Sequence, residues 1–385
     1  MAAVFTSISN IMKTACSKSW TDVNIDFANR LIRNCCRSKA YPMPDEYDID
    51  FFNNSPQIQQ RRSSTLSGEQ HPDCTHCWES ENAGIPSYRS QQNKWQDFST
   101  VTRDPHTTYI DVTLDTICDQ SCLYCAADAS SQIAQEEGVP IRDDGTERDF
   151  ETFKRWVSTL SGSIVFNFLG GEPTASKRFA PMVEYINTLP VDAKFEICTN
   201  CNTKAPMMER LLKTIRGSGK PWNIAISNET FGTDAELSRY GLDWERFKTN
   251  FITYATTPEV SSITLAPTTN ALSIRGLADY IEWVHETMLT VAPDKSFSWH
   301  GSYITRPSVI DIKNLDTDHR KHIVRAQEVY ARYHNQHTKL QHAERFKQYL
   351  QSMHDRIGTG FSHTTVTDFI LDKQQIKNQD LSKLL

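Results

Sequence analysis

Residues 163–175, Ser-Ile-Val-Phe-Asn-Phe-Leu-Gly-Gly-Glu-Pro-Thr-Ala, contain the pattern that decides the fold. An apolar run rich in β-branched and aromatic side chains ends at two glycines, which is typical of a buried strand that closes in a turn. Apolar residues then recur at three-and-four spacing from Phe179 to Ile186, which predicts one apolar face of a helix. The stretch therefore predicts a strand, a loop and a helix.

The same alternation extends in both directions, from about residue 105 to residue 305. Helical spacing also marks residues 150–160 and 277–284. Strands that alternate with helices are typical of βα units around a parallel sheet, so we expect an α/β fold built as a partial, TIM-like (βα)6 barrel. In such a barrel, functional groups lie in the loops at the carboxyl ends of the strands. The six predicted strands are Thr107–Leu114, Ile164–Phe168, Lys194–Thr199, Trp222–Ser227, Ile263–Ala266 and Phe297–Tyr303.

The length of 385 residues suits one large α/β unit with a smaller appendage. We expect three regions: a cysteine-rich amino-terminal module (1–104), the α/β core (105–305) and a carboxyl-terminal helical extension (306–385). Within the first region, the polar stretch Asn53–Gln70 predicts a long loop. Within the last, helical patterning over His319–Ile357 predicts a covering helix or helix pair.

Charge and hydropathy exclude several classes of protein. The chain has 47 acidic residues against 41 Lys and Arg, a net charge of −6, which gives no basic footprint for nucleic acid. No apolar run approaches the ~20 residues of a membrane span. The first ten residues lack the basic and apolar regions of a signal peptide. We therefore expect a cytoplasmic protein that binds neither nucleic acid nor membrane.

The ten cysteines are the most informative residues, because thiols in a reducing compartment more often bind metals or react than form disulfides. Cys118, Cys122 and Cys125 follow the first predicted strand with CxxxCxxC spacing. Three thiolates this close can hold three irons of a 4Fe-4S cube and leave the fourth iron open. A zinc site is the alternative, but it needs a fourth ligand, and no further Cys or His lies in the same loop.

With this motif in this position, residues 105–305 resemble the radical S-adenosylmethionine (SAM) superfamily. The resemblance implies a 4Fe-4S cluster whose open iron binds SAM and which, once reduced by a one-electron donor such as flavodoxin or ferredoxin, cleaves SAM to a 5′-deoxyadenosyl radical that abstracts hydrogen from a substrate. Cys201 stands where relatives often carry glycine after a Thr-Asn pair. The implied SAM contacts are Tyr124 at the adenine, Gly170, Gly171 and Glu172 at the ammonium, Thr199, Asn200 and Ser227 at the ribose or carboxylate, and Arg239 at the carboxylate.

The amino-terminal cysteines resemble a second kind of site, the twitch or SPASM-type auxiliary-cluster module, which here precedes the core. The resemblance implies a second 4Fe-4S cluster held by Cys16, one of Cys35 and Cys36, Cys74 and Cys77. An all-cysteine zinc site uses the same ligands, so both metals stay open.

Relatives with such modules commonly act on peptides, so we expect a peptide or protein substrate. A small molecule, such as a sugar or nucleotide, is the nearest alternative. A non-catalytic protein that binds zinc through these cysteines is an alternative of a different class.

Overall fold

The computed structural model describes residues 14–48, 51, 55–82, 87–93, 106–141, 146–304, 306–360, 363–377 and 379–384. These residues form a mixed α/β fold with a large, mostly parallel sheet and many helices, as the strand and helix alternation predicts. The strands are β1 (Asp22–Asp26), β2 (Leu31–Arg33), β3 (Tyr41–Pro42), β4 (Tyr109–Thr113), β5 (Ser163–Leu169), β6 (Asp192–Thr199), β7 (Trp222–Ile226), β8 (Val260–Leu265), β9 (Thr268–Thr269), β10 (Ser296–Trp299), β11 (Ser302–Tyr303) and β12 (Leu340–Gln341). The α-helices are α1 (Lys18–Thr21), α2 (Pro56–Leu66), α3 (Thr75–Asn82), α4 (Tyr88–Gln92), α5 (Ser131–Glu136), α6 (Thr146–Val157), α7 (Phe179–Asn187), α8 (Ala205–Ser218), α9 (Gly232–Ser238), α10 (Trp244–Thr256), α11 (Leu277–Val291), α12 (Arg320–Tyr333), α13 (Ala343–Arg356) and α14 (His363–Lys377).

The six predicted strands are all present, as β4 to β8 and β10. The last one is shorter than predicted, because β10 ends at Trp299 and residues 302–303 form a separate short strand that pairs with β9. The three predicted helix faces are confirmed in α6, α7 and α11. The closure and size of the barrel stay a prediction, and the predicted boundaries near residues 104 and 305 lie outside the described residues.

The chain divides into two compact units, of which the first contains residues 1–115, 142–170 and 181–195. Here β1 pairs in parallel with β4, β4 pairs in parallel with β5, and β2 and β3 add antiparallel strands beyond β1. The buried ring of Phe27, just after β1, packs edge-on against Phe153 of α6 with 5.7 Å between centroids. The amino-terminal region therefore contributes strands to the same sheet as β4, which the short, partly polar run of β1 did not predict.

The second unit contains residues 116–141, 171–180 and 196–385, and its strands β7, β8, β10 and β12 pair in parallel. Side chains alternate in burial along β7, from fully buried Trp222, Ile224 and Ile226 to half-buried residues between them. The half-buried face is polar: Asn223 donates to Glu196 at 3.3 Å and accepts from the Ser262 hydroxyl at 2.9 Å.

The predicted loop at Asn53–Gln70 is wrong, because Pro56–Leu66 forms helix α2. This helix has no continuous apolar stripe and buries Arg61, Arg62 and Thr65 together with Ile58. The Arg61 side chain is only 1% exposed and forms an ion pair with Asp73 at 2.6 Å. Apolar periodicity does not indicate a helix whose buried face is mostly polar.

The carboxyl-terminal region is helical, as predicted. Helices α12 and α13 correspond to the expected helix pair over His319–Ile357, and α14 follows as a further helix that the pattern did not predict. Across the described residues, no helix combines the length and the hydropathy that crossing a bilayer requires.

Candidate cofactor sites

The CxxxCxxC cysteines lie after β4 in residues 116–130, which we call the cysteine loop. All three side chains are half-buried. Burial raises the pKa of Cys122 to about 12 and also raises the pKa values of Cys118 and Cys125. Cys122 further raises the pKa of Cys118, and Cys125 that of Cys122, because neighbouring thiolates repel each other. The three thiols are thus close enough to interact, and metal binding would remove the cost of ionising them together.

Backbone hydrogen bonds hold the cysteine loop against the segment that follows α9. The N–H groups of Ser121 and Leu123 donate to the carbonyls of Tyr240 and Ser238, both at 2.9 Å. Gly241 has a φ of +98°, and a Cβ atom there would lie 2.9 Å from a backbone carbonyl of the loop. Only glycine meets both conditions without strain, which explains the glycine at this position.

The paired glycines after β5 let two backbones approach closely. A Cβ atom on Gly171 would lie 2.5 Å from the carbonyl oxygens of both Thr116 and Ile117, and one on Gly170 would lie 2.8 Å from another carbonyl. The N–H of Glu172 donates to the Ile117 carbonyl at 2.7 Å. The Gly-Gly-Glu sequence therefore packs directly against the start of the cysteine loop.

The Glu172 carboxylate is buried, with 1% exposure, and its neighbours hold it in place. It accepts hydrogen bonds from the hydroxyls of Thr174 and Thr199 at 2.7 and 2.9 Å and from the backbone N–H of Asn200 at 2.7 Å. Burial raises the pKa of Glu172 to about 7, although the hydrogen bonds from Asn200 and Thr174 act to lower it. Glu172 thus ties the loop after β5 to the loop after β6, where Thr199 and Asn200 were also predicted to contact the cofactor.

Asp119, within the CxxxCxxC motif, joins the cysteine loop to the loop after β6. Its carboxylate accepts from the side-chain amides of Asn200 at 2.8 Å and Asn202 at 3.1 Å. Between these two residues, Cys201 adopts a left-handed backbone with a φ of +61°. A residue with a Cβ atom pays about 1–2 kcal/mol for that conformation, which gives a physical reason for the glycine that relatives often carry there.

Arg239 forms a buried ion pair that the sequence did not predict. Its Nε and Nη2 atoms donate to the two carboxylate oxygens of Glu229 at 3.2 and 2.7 Å, and its guanidinium lies 5.6 Å from the centre of the Tyr124 ring. The Tyr124 hydroxyl also donates to Glu229. Positive charge on Arg239 lowers the pKa of the Cys122 thiol, against the larger effect of burial. Two predicted cofactor residues therefore share one buried carboxylate beside the cysteine loop.

Ser227, the last predicted cofactor residue, lies directly after β7 and its hydroxyl is 3.2 Å from the Cys198 sulfur. The motifs of the sequence did not indicate Glu229 or Asp119. Glu229 comes two residues after Ser227, so an extended search of the same strand end would have found it. Asp119 lies inside a motif whose cysteines alone were considered.

The amino-terminal cysteines converge on a separate pocket, which we call the second cysteine pocket. Of the adjacent pair, Cys35 lines it. Burial raises the pKa of Cys16 to about 12 and that of Cys74 to about 11, and Cys74 and Cys77 further raise the pKa of Cys16. The lining residues are Cys16, Lys18, Ser19, Cys35, Arg37, Ser38, Arg61, Asp73, Cys74, Cys77, Tyr88 and Arg89.

The donor set of this pocket fits a cluster ligated by four thiolates, because four cysteines from three separate segments line it. As the side chains stand, no three His, Cys, Asp or Glu residues in the described part of the chain are grouped so as to bind a single metal ion.

Comparison with known proteins gives a match to one family model within the core. The family model described as "Radical SAM superfamily" matches residues 112–254, a range that contains the cysteine loop, the Gly-Gly-Glu turn and Arg239. No curated protein was found to match the sequence.

Several solved structures match part of the chain at low identity. SuiB of Streptococcus suis bound to S-adenosylmethionine has 16% identity and a TM-score of 0.43, over 83% of this chain and 71% of SuiB. SuiB bound to precursor peptide SuiA has 15% identity and a TM-score of 0.40, over 87% of this chain and 74% of SuiB. Native anSMEcpe with bound AdoMet and Kp18Cys peptide has 15% identity and a TM-score of 0.39, over 59% of this chain and 60% of that one.

Proposed function

We propose that the chain is a radical SAM enzyme and that it modifies a peptide or protein by removing a hydrogen atom. The support for the family is the match of its model to residues 112–254. The family works with a 4Fe-4S cluster and SAM, which together supply a radical able to take that hydrogen. The observation that carries the assignment is the set of three interacting thiols on a loop packed against Gly171.

We assign the first cluster to Cys118, Cys122 and Cys125, and SAM to the surrounding strand ends. In this assignment the Gly170 and Gly171 backbone binds the SAM ammonium, since no side chain blocks the approach. Glu172 holds the loops in register through its four hydrogen bonds to Thr174, Thr199 and Asn200.

The remaining contacts of the assignment are at the ribose, the adenine and the carboxylate of SAM. Thr199, Asn200 and Ser227 offer hydroxyl and amide groups for the ribose, and Tyr124 offers a ring for the adenine. Arg239 uses Nε and Nη2 on Glu229, so its contact to the SAM carboxylate would come from Nη1.

We further propose that the second cysteine pocket holds another 4Fe-4S cluster, with Cys16, Cys35, Cys74 and Cys77 as ligands. The support is that these four side chains line one pocket. Four thiolates complete the ligand set of such a cluster, so this centre would have no open iron.

The peptide substrate rests on the resemblance of these amino-terminal cysteines to auxiliary-cluster modules. Both SuiB and anSMEcpe are described with a bound peptide. A small polar molecule is the second candidate, because Asn223, Glu196 and Ser262 give the strands of the second unit a half-buried polar face.

Iron content tests the cofactor assignment. After anaerobic reconstitution we expect about eight irons per chain, and about four when Cys118, Cys122 and Cys125 are replaced by Ala. Dithionite and SAM should yield 5′-deoxyadenosine from the parent protein and none from this triple variant. Cys198→Ala is the matched control, since Cys198 belongs to neither set, and it should keep all the iron. A colourless, zinc-loaded protein would contradict the assignment and support the non-catalytic alternative.

The rate of 5′-deoxyadenosine formation tests the substrate class. Peptide mixtures, sugars and nucleotides are added separately, and the rate above the substrate-free background is measured together with the product mass. Stimulation by peptides with a matching mass change supports the proposal. Stimulation by a sugar or nucleotide alone would overturn it in favour of the second candidate.

A further inference from the structure

The second cysteine pocket is rich in positive charge. Its lining includes four cations, Lys18, Arg37, Arg61 and Arg89, and one acid, Asp73. Asp73 pairs with Arg61 at 2.6 Å, so the charge of that arginine is balanced within the pocket itself. Lys18 and Arg89 also form ion pairs, but their partners, Asp22 and Glu81, lie outside the lining.

Lys18 is a deeply buried member of this group of cations. Its side chain is 5% exposed and forms an ion pair with Asp22, the first residue of β1. The Nζ atom also lies 4.6 Å from the Tyr88 ring centre and 5.0 Å from that of Tyr109, in positions that favour a cation. Carboxylate and rings together keep Lys18 charged at a buried site.

The acid that neutralises Lys18 lies behind it. Asp22 does not belong to the pocket lining, whereas Lys18 does. The pair therefore presents its positive end to the thiols and its negative end to the protein interior. Since both groups are buried, solvent and salt screen this oriented charge pair only weakly.

A 4Fe-4S cluster with four thiolate ligands is an anion, and its negative charge increases by one on reduction. A nearby fixed cation stabilises the reduced form more than the oxidised form, so it raises the reduction potential. We propose that Lys18, with Asp22 behind it, is a positioning residue that sets the reduction potential of the second cluster. This inference rests on the proposed second cluster and adds which residues set its reduction potential.

The pair predicts shifts of opposite sign, which a purely structural role would not produce. Lys18→Met removes the cation and should make one-electron reduction of the cluster at least tenfold less favourable, a fall of about 59 mV. Asp22→Asn removes the opposing acid and should raise the potential. Lys18→Arg keeps the charge and should leave the potential close to that of the parent.

The experiment uses the full chain with Cys118, Cys122 and Cys125 replaced by Ala, so that only the second cluster is observed. Iron content is measured first, and then the potential is read by spectroscopic redox titration. Lys39→Met is the matched control, because Lys39 is an exposed lysine of the same region, and it should leave the potential unchanged.

The outcomes separate the inference from the function on which it rests. Equal potentials in all variants, or shifts of the same sign in Lys18→Met and Asp22→Asn, would overturn the role of Lys18 while the cluster itself stands. A triple-alanine parent that binds no iron would overturn the second cluster and the inference with it.

Discussion

Gly171→Ala is the substitution that most directly tests the link between the Gly-Gly-Glu turn and the cysteine loop. The new Cβ atom would lie 2.5 Å from the carbonyl oxygens of Thr116 and Ile117, both of them backbone atoms. Contacts of this kind stay at about 3.3 Å or more. The two segments must therefore separate by roughly 0.8 Å, and Ile117 is the residue just before Cys118. Overpacking of this size costs about 1–3 kcal/mol.

A misplacement of this size at a reacting site can cost about a hundredfold in rate. We expect Gly171→Ala to fold, to bind less iron at the first cluster and to form 5′-deoxyadenosine about a hundredfold more slowly. Gly217→Ala is the control, because nothing lies within 4 Å of its Cβ position in helix α8, and alanine there should stabilise the helix by up to about 1 kcal/mol. Parent levels of iron and of 5′-deoxyadenosine in Gly171→Ala would refute the placement of the active site at this turn.

Three further predictions concern the first unit and the loop after β6. Asp111 is buried, and burial raises its pKa from 3.8 to about 6. Below about pH 4 its carboxyl group is mostly neutral in both the folded and the unfolded state, and above about pH 6 it is mostly ionised in both. Ionisation in the folded state therefore lowers the free energy of unfolding, by an amount that grows between these two pH values. Asp111→Asn should therefore gain up to about 3 kcal/mol relative to the parent as the pH rises from 4 to 7, measured by denaturant unfolding, and an unchanged difference across that range would contradict the shift. Cys35→Ala should lower the iron content towards four per chain and Cys36→Ala should not, whereas equal losses would assign both cysteines to the site. Cys201→Gly should keep the parent's iron and 5′-deoxyadenosine yield, because glycine adopts its left-handed backbone freely, and loss of either would show that the thiol itself is needed.

Local patterns were sufficient for the six strands of the core and for three of its helices, α6, α7 and α11. Side chains alternate in burial along β6 and β7, and apolar residues recur at three-and-four spacing in α6 and α11. Both patterns depend only on which side chains are apolar, which can be read directly from the sequence. Helix α2 could not be predicted in this way, since what buries its face is the Arg61 and Asp73 ion pair, between residues twelve positions apart.

The candidate sites show the same limit. The cysteine loop and the Gly-Gly-Glu turn could be picked out from the sequence because the residues of each motif are close together in the chain. The partner of Arg239 was not found, because Glu229 becomes its partner only when the chain turns between β7 and α9. The sequence does not separate Cys35 from Cys36, since adjacent residues differ by only one position in their spacing to every other cysteine, and the proposal of Cys35 comes from the pocket lining.

The parallel pairing of β1 with β4 has a consequence for how this protein can be divided. Five residues of β1, from Asp22 to Asp26, lie opposite the five residues of β4. In a truncated chain that starts near residue 105, the edge of β4 that pairs with β1 would have no hydrogen-bonding neighbour. Exposed strand edges pair with strands of other chains, so such a fragment should self-associate. The amino-terminal region thus covers a strand edge that would otherwise be open to pairing.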